Sequence, residues 1–207
     1  MRTAFTTALV QGSPVPIGAP FEVFAQHAAH VVATTPGVEL LVYPEMHLFG
    51  ADDATDHHDL NPRLEAAAEP LDGPLDARLS ALAAELGVWL VPGTVCELGE
   101  DANVYNTAVV YDPAGVRVAS YRKVFPWRPY EVFTPGTGFT VFDVPGVGRI
   151  GLTICYDAWF PEVTRQVAWM GAEVVLNLVR TTTPDRAQEL VLARANAIVN
   201  QVFMLSV

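Results

Sequence analysis

Three separated segments carry side chains whose types could do chemistry. The first is "ICYDAWFPEVTR", where Cys155 closes an apolar run and precedes a helical pattern. Strand ends of α/β folds commonly hold active-site residues. Free backbone N–H groups in such a turn stabilise an oxyanion and lower a thiol pKa. Cysteine is also among the most buried and inert residue types, and position alone favours that reading. The second is "ELLVYPEMHLFG", in which an apolar strand runs into Pro44 and Glu45. A carboxylate there is costly to bury unless paired, and can serve as a general base with a raised pKa. A surface glutamate in the following loop is the plainer alternative. His47 reads as an acid, a ligand or a loop histidine. The third is "YRKVFPWRPYEVFTPG", with Lys123 and Glu131 among prolines and aromatics. It reads either as the wall of a small-molecule pocket or as a surface connection with solvated charges. Lys123 is the only lysine among the 12 basic residues.

These segments need elements to position them. Apolar runs rich in Val, Ile, Thr and aromatics recur at 4–11, 39–43, 88–95, 104–111, 116–121, 139–144, 149–155, 173–179 and 201–207. Gly, Pro, Asn or Asp bounds each, as at strand ends. Continuous runs such as "EVVLNLV" predict strands buried on both faces. "YDPAG" at 111–115 predicts a hairpin turn. Helical periodicity covers 20–34, 74–86, 160–170 and 185–199, with Gly87 as a C-cap and Pro184–Asp185 as a helix start. Asp157 reads as an N-cap, and 51–63 as a polar loop. Alternating strands and helices predict an α/β layered domain over 1–207, with no internal boundary.

Three other patterns carry no site. "GVGRIG" has the glycine spacing of a dinucleotide loop, but a strand follows it instead of a helix. His57 and His58 sit among Asp52, Asp53, Asp56 and Asp59 at no metal-ligand spacing. The four serines include no G-x-S-x-G. Composition narrows the function classes. The chain has 207 residues, 51% hydrophobic and 17% charged, with net charge −11. That is a globular core with an acidic surface, which disfavours nucleic acid and anionic lipid as partners. No run is long enough to span a membrane and no secretory leader is legible, so cytoplasm is the expected location. Two cysteines, Cys96 and Cys155, read as free thiols.

Taken together, the three segments resemble the carbon–nitrogen hydrolase (nitrilase) superfamily. The carrying motifs are "YPEMHLFG", "YRKVFPWRPYEVFTPG" and "ICYDAWFPEVTR", in that order, and the strand and helix order between them agrees. The resemblance implies a four-layer α-β-β-α sandwich, a form that usually dimerises helix to helix. It assigns the nucleophile to Cys155, the general base to Glu45, the oxyanion-binding lysine to Lys123 and a supporting carboxylate to Glu131. It implies hydrolysis of a non-peptide C–N bond with release of ammonia, through a thioester and without metal or organic cofactor. The pattern "K-x-x-P-W-x-P-x-E" is most similar to the aliphatic amidase and formamidase branch. Phe125 and Trp159 stand where many other branches carry His and Arg, which points away from carboxylate-bearing substrates. A small, mostly uncharged amide is the expected substrate, with Tyr156, Trp127, Tyr130, Phe133 and Trp159 near it. A nitrile, an N-carbamoyl compound or a non-catalytic binding role are the alternatives. Members normally continue beyond "NQVFMLSV", so the domain reads as incomplete at its C-terminal end.

Overall fold

The computed structural model describes residues 4–51, 57–181 and 183–207. The elements run β1 (Thr7–Leu9), α1 (Phe21–Thr34), β2 (Leu40–Val42), α2 (His57–Ala66), α3 (Pro74–Leu86), β3 (Trp89–Val91), β4 (Thr94–Leu98), β5 (Val104–Tyr111) and β6 (Arg117–Arg122). They continue as β7 (Val141–Val144), β8 (Gly148–Ile154), a 3-10 turn (Cys155–Trp159), α4 (Pro161–Trp169), β9 (Val174–Leu178), a short 3-10 turn, α5 (Arg186–Asn200) and β10 (Phe203–Ser206).

Two sheets form. In the first, β1, β2 and β3 run parallel, and β5 pairs antiparallel with β3, β4 and β6. In the second, β8, β9 and β10 are parallel and β7 is antiparallel to β8. Strand alternation explains why they stack. Leu41, Tyr43, Leu90, Val109 and Tyr111 point one way, onto Phe24 and Ala28 of α1 and Leu79, Leu82 and Ala83 of α3. Their sequence neighbours Leu40, Val42, Val91, Ala108 and Val110 point the other way, onto Ile150, Leu152, Ile154, Leu176 and Leu178 of the second sheet. With a side-chain period of two, a strand apolar at every position must be covered on both faces. On the far side, Val167 of α4 packs with Ala172 and Val175. The result is the expected α-β-β-α order. Each large aliphatic side chain buried this way stabilises the fold by roughly 1.5–3 kcal/mol.

Most predicted elements form within a residue or two of their expected bounds, and "YDPAG" closes the β5–β6 hairpin. Gly87 ends α3 at φ 65°, its N–H donating to the Ala83 carbonyl. Two expectations need correction. The run 88–95 is two strands, because Pro92 and Gly93 interrupt it. The polar segment 51–63 is not wholly loop, since α2 begins at His57 and carries Pro62 inside it. Pro62 and the segment's polarity conceal that helix from apolar periodicity. Of the Asp/His cluster, Asp52, Asp53 and Asp56 lie outside the described residues.

Candidate active site

The four singled-out polar residues meet where strands of both sheets end. Glu45 follows β2, Lys123 follows β6 and Cys155 follows β8, while Glu131 lies in the loop after Lys123. Lys123 is 1% exposed and its ammonium donates to Glu45 Oε1 and to both oxygens of Glu131, each at 2.9 Å. Burial alone would lower its pKa. Glu45, Cys155 and Glu131 outweigh that and hold the ammonium charged well above its ordinary range. Glu45 is buried too. Asn106 Nδ2 donates to its Oε1 at 2.8 Å, and the Arg180 backbone N–H to its Oε2 at 3.0 Å. Glu131 is steadied by its own loop, accepting from the Trp127 backbone N–H at 2.7 Å. Burial, then repulsion from Glu45, raises its pKa against the pull of Lys123.

Gly93 makes room for the Glu45 segment. A Cβ there would lie 2.0 Å from the Pro44 carbonyl oxygen, and its φ is +96°. Only glycine tolerates both conditions. The neighbouring Thr94 hydroxyl accepts from the Met46 N–H at 3.0 Å.

Cys155 sits at φ +46°, a left-handed conformation unusual for a side chain of this kind. Such outliers cluster at functional sites. Its thiol lies 3.6 Å from the Arg180 carbonyl. Burial pushes the thiol well above its ordinary pKa, and Glu45 adds to the rise; Lys123 opposes it, while Glu189 and Glu131 raise it further. These effects favour the protonated thiol beside the carboxylates. The ammonium lowers the thiol pKa, but less than its surroundings raise it.

Asp157 is not the N-cap of α4, a position Phe160 holds; it lies inside the 3-10 turn that precedes the helix. It is fully buried and accepts from the Ile154 N–H at 3.0 Å, the Phe125 N–H at 2.9 Å and the Tyr121 hydroxyl at 2.8 Å. It thereby ties the cysteine turn to the chain on both sides of Lys123. Burial raises its pKa to about 6, against those hydrogen bonds. Asn106 was the other legible clue: a lone amide inside "VYNTAVV" is costly to bury without a partner. The Arg180 contribution comes from its backbone and leaves no mark in sequence.

A cavity of about 180 Å³ opens at Cys155, bordered by Trp127, Tyr156, Trp159, Arg180 and Glu189. Tyr130 does not line it; it is exposed and packs on Trp127 with ring centroids 4.4 Å apart. Phe133 is a core residue. Phe125 stacks on Phe160 at 3.9 Å. His47 is buried, and burial followed by His27 pushes its pKa down to about 4, so it stays neutral. Cys96 is a buried thiol. Among the described residues no group of three His, Cys, Asp or Glu side chains could hold a metal ion. None of their helices is long and apolar enough to cross a membrane.

Residues 6–207 match the family described as carbon-nitrogen hydrolase. A formamidase of Bacillus thuringiensis (strain Al Hakam) is 32% identical over 99% of this chain, which spans only 62% of that relative's length. Nit3 of Saccharomyces cerevisiae, a member of branch 10 of the nitrilase superfamily, superposes with TM-score 0.79 at 27% identity, over 98% of this chain and 75% of its own. A mutant amidase from Nesterenkonia sp. AN1 superposes with TM-score 0.78 at 25% identity, over 98% of this chain and 78% of its own. That structure shows the result of Michael addition of acrylamide at its active site cysteine. Motif order, two stacked sheets flanked by helices and the match along nearly the whole sequence agree: this chain belongs to the carbon-nitrogen hydrolase family and has the nitrilase fold.

Proposed function

We propose that this chain hydrolyses a short amide, with Cys155 as nucleophile. The observation that carries this reading is the Glu45–Lys123–Glu131 array at 2.9 Å contacts around a buried ammonium, beside a cysteine held at positive φ in a small cavity. The thiol starts protonated, so Glu45 takes its proton as sulfur attacks the carbonyl carbon. Lys123 and the Tyr156 backbone N–H stabilise the oxygen as it gains charge. Collapse breaks the C–N bond, and the proton on Glu45 leaves with ammonia. Glu45 then activates a water that attacks the thioester, releasing the acid and returning the proton to sulfur. Glu131 orients Lys123. Losing one oxyanion donor costs on the order of 3 kcal/mol in the barrier. The amidase and formamidase names of the relatives support an amide over a nitrile or carbamoyl substrate.

Ammonia release from a panel of short amides tests the proposal. Cys155→Ala and Cys155→Ser should abolish it while circular dichroism and melting stay native. Turnover surviving in either variant removes the mechanism. No turnover of any amide, nitrile or carbamoyl compound by the unaltered protein favours a non-catalytic role.

A further inference from the structure

Glu189 lies in the first turn of α5 and is 3% exposed. Its Oε1 accepts the Trp159 indole N–H at 2.8 Å. Among the described residues its Oε2 makes no hydrogen bond, and the side chain makes no ion pair. The residue borders the Cys155 cavity, so the carboxylate faces the space a substrate would occupy. Three rings, Trp127, Tyr156 and Trp159, border the same space.

Holding an indole N–H does not require a charge, and a glutamine oxygen would accept it equally well. A carboxylate at this depth costs far more to desolvate than an amide unless a cation meets it. Burial raises its pKa, and the Trp159 hydrogen bond offsets part of the rise; Glu45 and Asp185 push it up and Arg186 pulls it down. Arg180, which also borders the cavity, is exposed, and its backbone rather than its guanidinium engages Glu45 and Cys155. What the carboxylate lacks is a cation delivered into the cavity. Aromatic faces are attractive walls for an ammonium group.

We infer that Glu189 is a specificity-determining residue, and that the preferred substrate is a short aliphatic amide whose acyl chain ends in a protonated amine. The ammonium occupies Oε2 between the rings while the amide carbon reaches Cys155. This deepens the amidase reading and, where turnover is measured, rests on it. It replaces the expectation of an uncharged substrate and keeps the expectation that carboxylate-bearing ones are excluded.

The test compares β-alaninamide with butyramide, which has nearly the same shape without the charge. The unaltered protein should show kcat/KM for β-alaninamide at least about tenfold above butyramide, since a site built for a polar partner rejects the analogue lacking it. Glu189→Gln keeps an acceptor for Trp159 and should lower that ratio at least about tenfold. A ratio near or below one in the unaltered protein, or a ratio unchanged in Glu189→Gln, overturns the inference. Should Glu189→Gln fail to fold, the ratio in the unaltered protein decides alone. Calorimetric binding of both amides to Cys155→Ala separates this inference from the amidase reading. Tighter binding of β-alaninamide there, with no turnover by the unaltered protein, upholds the recognition role and removes the amidase reading. Equal binding removes the recognition role.

Discussion

At the scale of single residues, the lone lysine has a structural explanation. Lys123 separates the buried carboxylate of Glu45 from the part-buried one of Glu131, at 2.9 Å from each. A compact ammonium fits that gap, whereas a planar guanidinium directs its donors as a fork and needs more room. Lys123→Arg should lose most turnover and also lower stability by about 1–3 kcal/mol through overpacking. Lys123→Met should be worse, at about 3–5 kcal/mol, because it leaves buried charge uncompensated. Urea denaturation of both variants checks the order. Asp157 gives a pH signature. Its folded-state pKa is raised from 3.8 to about 6. The folded state therefore binds more protons than the unfolded one between those values, and stability falls as pH rises through that window. The fall attributable to Asp157 is on the order of 3 kcal/mol. Asp157→Asn should flatten that part of the stability–pH profile. It should also weaken the fold at neutral pH, since one amide oxygen cannot serve three donors. An unchanged slope between pH 4 and 6 would contradict this assignment.

At the scale of elements, the loops matter more than the strands they leave. Strands and helices were legible because burial on both sheet faces demands apolar residues at every position, as in Leu40–Val42. The breaks were harder to read. Pro92 and Gly93 split one apolar run into β3 and β4, and the approach of the Pro44 carbonyl, together with the positive φ, explains why glycine stands there. Gly93→Ala should therefore displace Pro44 and Glu45 and cut ammonia release at least about tenfold, given that small misplacements of reacting groups cost large factors in rate. Gly87→Ala is the control. It has comparable positive φ but no atom within 4 Å of the added Cβ. It should cost only about 1 kcal/mol of stability and leave kcat unchanged. Equal effects from the two substitutions would mean that backbone strain, not the Pro44 contact, sets the requirement at 93.

At the scale of the molecule, helices α4 and α5 and the start of β10 leave apolar side chains in water. Trp169 is 76% exposed, Ile198 74% and Phe203 74%, with Val191 one heptad before Ile198 on α5. We expect this face to pair with a second copy. Sedimentation should show a dimer that Ile198→Glu dissociates; a monomer at all concentrations would refute the pairing. Sequence alone determined the layered fold and the three segments that carry the candidate site, because burial dictates residue type and thiol, ammonium and carboxylate announce themselves. Tertiary structure alone decided the rest. It brought Glu45 and Lys123, 78 positions apart, to 2.9 Å. It recruited the Asn106 amide and the Arg180 backbone to Glu45, turned Tyr130 away from the cavity and brought Glu189 into it. Residue type reports what a group can do chemically. Which groups share a desolvated space depends on how two sheets and their loops converge, and in this chain that convergence left Glu189 with one carboxylate oxygen facing the cysteine's cavity.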